Sequence, residues 1–343
     1  MAQHFLLSSK AKTISSYDIA EMSNDEATKI FEELRWNDTE GKAVCPTCGC
    51  THSYTINTTS HRGKPIKRYK CSACKKQYTV TTGTIFADHK LPLKKYLYAL
   101  VTYIDAVKGI SALQLSRHCR IQYKTAYVLL HKFRAIIKEH SDCEPLKGTV
   151  EMDGCYVGKT KPKNKKENRL DLRLAQNANP NKRCVMVARE VSNDGSGAVK
   201  TRVGVTRGEY SNVITKFALD NVTKNSTIHS DGAPAYENLM AYYELIQGDH
   251  SKAYVGENGE SSNQAESFFS RFRRLQYGQC HKITVKYLLN YSLEIAYRED
   301  NRRGSNGSIM VDLVSKAMNT SNYNPWVGYW SGNRPASEQL LTA

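Results

Sequence analysis

The chain has 343 residues, 40% of them apolar, and its 49 Lys and Arg against 33 Asp and Glu leave a formal charge of +16. That length suits two or three domains and excludes a single small module; no run of about 18 apolar residues exists to span a membrane, and the apolar block Phe5 to Leu7 is too short for a signal peptide. The positive surplus points to a polyanionic partner, nucleic acid before membrane. Ten cysteines without an export signal read as metal ligands and buried thiols rather than a disulfide framework. We therefore expect a cytoplasmic protein, nucleoid-associated if prokaryotic.

Residues 1–40 read as an N-terminal helical segment, with Asn24 or Asp25 capping a stretch that sets Ala27, Ile30, Phe31 and Leu34 on one face. Residues 41–88 read as a zinc ribbon. Cys45, Cys48, Cys71 and Cys74 follow a C-x2-C-x22-C-x2-C pattern, in which each pair turns two sulfurs toward one ion and Pro46 and Gly49 permit the tight backbone. Four thiolates fill a tetrahedral site and leave no opening for substrate, so one structural Zn²⁺ is expected to hold the fold. Cys50 would break the paired symmetry and is left out of the ligand set.

Residues 89–145 turn helical in three segments. The first, from Leu91, sets Leu93, Leu97, Leu100, Val101 and Ile104 on one face and ends by Gly109; SALQLSRHCRI and QYKTAYVLLHKFRAIIKEH follow. This pattern suits a helix-turn-helix whose third segment presents Gln122, Tyr123, Lys124 and Thr125 to the major groove, although an ordinary helical hairpin has the same periodicity.

From 146 to 303 the period changes to an α/β order. Stretches 149–158, 182–191 and 199–206 read as strands, 208–222 as a helix, 226–232 as a strand, and a helix containing Ala235, Leu239 and Met240 follows. A mixed sheet with helices packed on it is expected. The basic stretch between the first two strands reads either as a solvated excursion or as a phosphate contact. Residues 304–343 form a C-terminal tail with a helix near Ile309 to Met318 and an unassigned aromatic stretch, NYNPWVGYWSGNRP.

Three carboxylates stand out. Asp153 interrupts a buried strand, Asp231 ends another before Gly232, and Glu266 opens the helix SNQAESFFSRFRR. The last has two readings: a capping box in which Asn263 is the N-cap and Glu266 reaches back to it, or a metal ligand. Carboxylates from two strands and a helix start can converge on two Mg²⁺ ions about 3.5 to 4 Å apart, one activating the attacking oxygen and one stabilising the leaving oxygen of a phosphodiester. Arg271, Arg273 and Arg274 suit the strand being cut, or equally a solvated helix face.

The stretches VEMDGCYVG, TIHSDGAPAY and SSNQAESFFSRFRR resemble the three acidic blocks of DDE insertion-sequence transposases that carry a zinc ribbon, the ISXO-like branch related to Merlin elements. The likeness extends to YKCSACKKQYTVTTGTIF, to the helical block, to GDHSKAYV and to YGQCHKITVKYLLNYSLEIAYREDNRR, and 34 residues separate Asp231 from Glu266. It implies a multidomain α/β protein: an RNase H-like mixed-sheet core behind a zinc ribbon and a helix-turn-helix. It also implies catalysis by Asp153, Asp231 and Glu266 with two Mg²⁺ (or Mn²⁺), binding of terminal inverted repeats and target DNA, end cleavage and 3′-OH strand transfer, and a homo-oligomer of at least two chains on DNA. His250 and His281 match family positions and either orient phosphate or an acid, or are structural. The chain departs from the family at Gly154, where a second acid is usual, at Lys159 and at Phe269. A nuclease of the same fold without strand transfer, and a non-catalytic DNA-binding regulator, are the alternatives.

Overall fold

The computed structural model describes residues 5–59, 65–158, 182–248, 263–335 and 337–342. In chain order, α1 (Ser16–Glu21) and α2 (Asn24–Arg35) precede β1 (Ser53–Thr59), β2 (Pro65–Cys71) and β3 (Gln77–Tyr78); α3 (Leu93–Asp105), α4 (Ala112–Cys119) and α5 (Tyr123–Glu139) follow. Next come β4 (Thr149–Gly158), β5 (Lys182–Val191), β6 (Ala198–Thr206), α6 (Ser211–Asn221), β7 (Thr227–Asp231), a 3-10 helix Pro234–Ala241 and β8 (Glu244–Gly248), then α7 (Asn263–Leu275), α8 (Leu288–Asp300) and α9 (Asn306–Asn319). The chain forms two compact units, one of Met1–His140 with Arg303–Pro335, the other of Ser141–Arg302 with Ala336–Ala343. Among the described residues no helix is long and apolar enough to cross a membrane.

In the first unit, Ser15 caps α1 and Ser23 caps α2, each in a reciprocal box with the acid three residues on, Asp18 and Glu26. Ser23 therefore takes the place expected of Asn24 or Asp25, because its hydroxyl sits where a reciprocal acid lies three residues later. Strands β1, β2 and β3 form an antiparallel sheet, anchored by Trp36 edge-on to Tyr69 at 5.0 Å and by Tyr69 stacked on Tyr78 at 5.5 Å. Ser111 caps α4, and Arg120 closes it in a left-handed conformation (φ 49°). Helix α5 is buried continuously from Leu129 to Ile137, leaving its first turn as the exposed end. The tail as far as Pro335 belongs to this unit, and its last residues to the other: Asn306 accepts the N–H groups of Thr13 and Ile14, the N–H of Ile85 donates to Thr320, and α9 packs on α2, α3 and α5. The aromatics beyond α9 close over α5, with Trp326 stacked on His131 at 4.2 Å and 7°.

In the second unit a five-stranded sheet runs β6-β5-β4-β7-β8. β6, β5 and β4 are antiparallel, and β7 and β8 run parallel to β4. Alternation along β4 and β5 sends Val150, Met152 and Met186 to one core with Ile214, Phe217 and Tyr236. It sends Val157, Val185 and Val187 to a second core with Phe268, Phe269 and Phe272, so helices cover both faces. Strand β8 has no expectation in the sequence: ELIQG is short, half-polar and adjoins a turn. The helix expected around Ala235 and Leu239 is a 3-10 helix led by Pro234.

Candidate active site

Two of the acids stand on adjoining strands of the sheet. β4 pairs in parallel with β7 as Thr149↔Thr227, Val150↔Ile228 and Glu151↔His229. The pairing ends there; Asp153 and Asp231 each stand two residues further along their own strands, at the alternate position that Glu151 and His229 occupy. Each turns partly onto its own backbone: Asp153 Oδ1 accepts the Gly154 N–H at 2.7 Å, and Asp231 Oδ1 accepts the Ala233 N–H at 3.2 Å.

Glu266 lies in the first turn of α7, and the capping box expected there is replaced by another device. Asn263 is itself helical rather than a cap. The amides of Gln264 and Ala265 donate instead to Glu151 Oε2 of β4, at 2.6 and 3.2 Å. A buried carboxylate (3% exposed) at a helix N-terminus is favoured both by charge-assisted bonding and by the helix dipole. Two more clamps act on the same turn: Arg189 of β5 donates to the Gln264 carbonyl at 2.7 Å, and Gln264 Oε1 accepts the Ala198 N–H at 3.1 Å. Glu266 is thus seated by bonds to β4, β5 and the start of β6, one and two residues upstream.

Burial pushes the Asp153 carboxyl up to about 7, opposed by the Gly154 N–H and reinforced by the charges of Asp231, Glu209 and Glu266. The three expected acids therefore share one electrostatic field, and a fourth joins them. Glu209, in the connection from β6 to α6, has its N–H on the Tyr156 hydroxyl at 3.1 Å and accepts the hydroxyl of the fully buried Tyr236 at 3.4 Å. Its carboxylate fills the space that a side chain at 154 would take: a Cβ there would lie 2.6 Å from Glu209 Cδ and 2.9 Å from Cys184 Sγ. Nothing local in RGEYS marks Glu209; only the folded sheet brings it under Gly154.

Carboxylates that share one field suit a hard divalent cation, whose charge would offset the burial and the neighbouring negative charges that raise Asp153. The acids are not as closely gathered as the sulfurs described next, which form the one group of described ligand residues with all donor atoms within 4.8 Å of one another.

That group is Cys45, Cys48, Cys71 and Cys74. Cys45 and Cys74 sulfurs are 3.6 Å apart, as are those of Cys48 and Cys71, close to the roughly 3.8 Å edge of a tetrahedron with 2.3 Å zinc–sulfur bonds. The two knuckles match in backbone: Gly49 and Lys75, each directly after the second cysteine, are left-handed at φ 72° and 60°. The Cys74 backbone N–H holds the Cys71 thiol down at about 6, suited to a thiolate ligand. Cys50 turns away, its sulfur accepting the His52 N–H at 3.4 Å. The set fits structural zinc.

Of the residues expected to meet DNA, Gln122, Tyr123 and Lys124 are exposed at the start of α5 and Thr125 is half-buried. Arg271, Arg273 and Arg274 are all exposed on α7, but Arg271 pairs with the buried Glu299 at 2.9 Å and Arg273 donates to Cys155 Sγ at 3.1 Å. Arg271 is therefore engaged in holding α7 to α8. His281 is exposed, at a positive φ of 54°. His250, Lys159 and the basic stretch 159–181 lie outside the described residues.

Comparison with known proteins gives two family matches: an ISXO2-like transposase domain over residues 145–300 and a transposase zinc-ribbon domain over residues 22–77. The chain is also similar to a protein of Halobacterium salinarum described as an uncharacterized protein in transposable element ISH50, 26% identical over 224 residues, 64% of this chain and 70% of that one. Among solved structures, a Mos1 transposase paired-end complex with left transposon end covers 68% of this chain and 82% of that one at 14% identity and a TM-score of 0.19. A score that low carries no structural argument.

Proposed function

The chain belongs to the zinc-ribbon-bearing, ISXO2-like transposases of insertion sequences, and from that premise we propose that it binds the terminal inverted repeats of its element and performs metal-dependent end cleavage and 3′-OH strand transfer. The sheet of the second unit is read as an RNase H-like core and α3 to α5 as a helix-turn-helix entering the major groove with the first turn of α5. The observation that carries the catalytic part is the common field of Asp153, Asp231 and Glu266, from two adjoining strands and one clamped helix, inside the matched transposase domain.

In this reading Asp153, Asp231 and Glu266 hold the cations. When bound, two Mg²⁺ (or Mn²⁺) activate the attacking oxygen and neutralise charge at the leaving oxygen. The carboxylates must be ionised to do so, and the upward push on Asp153 makes cation binding and deprotonation mutually supporting. Glu151 and Arg189 position Glu266 by fixing the start of α7. Arg273 and Arg274, exposed one turn or more after Glu266, lie where they can meet the backbone of the strand being cut. The zinc ribbon and α5 bind the element ends, and because two ends must be held together the acting species is at least a dimer on DNA.

The test is end cleavage and joining by the purified chain on DNA carrying the element's ends, with Mg²⁺ or Mn²⁺. Asp153→Asn, Asp231→Asn and Glu266→Gln should each abolish both steps while leaving end binding in place; a variant that keeps wild-type activity removes its residue from the set. Cutting without joining identifies a nuclease. Specific binding with no metal-dependent cleavage by the wild type identifies a regulator.

A further inference from the structure

The aromatic stretch after α9 has no part in the function above, yet it lies against the first turn of α5. Trp330 is half exposed and is tied to Lys124 twice: its indole N–H donates to the Lys124 carbonyl at 3.2 Å, and the Lys124 ammonium sits 5.1 Å from its ring centroid. Beside it the Arg334 guanidinium lies 5.5 Å over the ring of Tyr329. Tyr329 is stacked on the buried Trp326, so this platform is fixed to the core. Tyr123, Lys124, Trp330 and Arg334 are exposed around this buried platform and make an aromatic and cationic surface. The unit that carries it has 25 Lys and Arg against 12 Asp and Glu, a surplus of 13 of the chain's 16.

We propose that residues 321–335 are part of the DNA-binding surface. Lys124 and Arg334 hold backbone phosphates of the duplex beside the first turn of α5, and Trp330 fixes Lys124 in place before binding. A free lysine side chain gives up rotamer freedom when it is immobilised on a phosphate. Lys124, backed by an indole through a cation–π contact and anchored at its own carbonyl, has already lost much of it. The charge of the surface complements duplex DNA, and its adjacency to Gln122 and Tyr123 puts the tail's phosphate contacts next to the residues placed in the groove. The inference rests on the DNA-binding reading of α5.

The experiment measures binding of the full chain to a labelled duplex taken from the DNA flanking its reading frame, by anisotropy across a salt series. Lys124→Ala and Arg334→Ala should each weaken binding roughly threefold to tenfold and each flatten the log–log salt slope by about 0.9. Trp330→Ala should weaken it by a similar factor, whereas Trp330→Phe, which keeps a ring under the ammonium, should come within about twofold of wild type. The Lys124→Ala, Trp330→Ala double variant should be no weaker than the worse single one, since Trp330 acts through Lys124. Trp36 and Trp326 are 4% and 2% exposed, so acrylamide quenching reports chiefly on Trp330, and the duplex should shield it. Wild-type binding by Trp330→Ala and Arg334→Ala, or unchanged quenching on adding duplex, overturns the proposal. If Tyr123→Ala and Lys124→Ala also bind as wild type, the reading of α5 itself fails; if those two weaken binding alone, only the role of the tail does.

Discussion

Glu151 is the residue whose removal most sharply tests how Glu266 is held. Its carboxylate is 3% exposed and accepts the N–H groups of Gln264 and Ala265. Hydrogen bonds to a charged acceptor contribute about 1.5 to 3 kcal/mol each, and a buried donor left without a partner costs about 1 to 3 kcal/mol. Glu151→Ala removes both bonds and strands both amides, so a local loss of about 3 kcal/mol or more is expected. Glu151→Gln keeps a carbonyl acceptor at the same place without the charge, for which about 1 kcal/mol is expected. Native-state hydrogen exchange reads this site by site: the amides of residues 264 and 265 should exchange roughly a hundredfold faster in Glu151→Ala, and less than tenfold faster in Glu151→Gln. End cleavage should fall in the same order, with the α7 amides and the activity moving together. If Glu151→Ala leaves those amides protected, or frees them while cleavage stays at the wild-type rate, the clamp does not position Glu266 and the reasoning is refuted.

Other outcomes follow from the same geometry. Metal analysis should find one zinc per chain, and Cys48→Ser or chelation should loosen residues 41–88 to protease and abolish end binding while the second unit keeps its protease resistance. His131, buried against Trp326, has its imidazole held well below the usual range by burial and then by Arg134. The folded state therefore keeps it neutral, the unfolded state takes up a proton near pH 6.5, and stability present above that pH is lost as pH falls through it. His131→Phe should flatten this acid limb in thermal melts from pH 7 to pH 5. Gly154→Ala should cost about 1 to 3 kcal/mol, because the new Cβ meets Glu209 and Cys184. Adding Glu209→Ala should recover part of that loss in denaturant melts; a Gly154→Ala chain as stable as wild type would show that Glu209 is free to move aside.

Much of the architecture is legible in the chain because its signals are local. β4 and β5 fall on their expected spans, since Val-rich runs bounded by turns suit buried strands. The four zinc cysteines are legible because paired spacing already sets ligand geometry. β8 is missed because ELIQG has neither alternation nor bulk, and it becomes a strand only by pairing with β7. Glu209 is missed for a related reason. Its position depends on the absence of a Cβ at Gly154, on a strand distant from it in the chain. That Asp153 and Asp231 stand on adjoining strands is a matter of pairing between segments far apart in the chain, which composition and periodicity do not encode.

Glu266 shows how a local pattern misleads and what resolves it. S-N-Q-A-E satisfies a capping box on spacing alone, and a carboxylate engaged in capping has fewer lone pairs free for a cation. The fold removes that competition by supplying the cap from elsewhere: Glu151, two residues before Asp153 on the same face of β4, takes the amides of Gln264 and Ala265. One strand then fixes both ends of the arrangement, since Asp153 is part of it and Glu266 hangs from the helix it caps. A displacement of β4 would carry Asp153 and the start of α7 together, so the spacing between the first and last acids is set by a single rigid element rather than by the 112 residues that separate Asp153 from Glu266 in sequence.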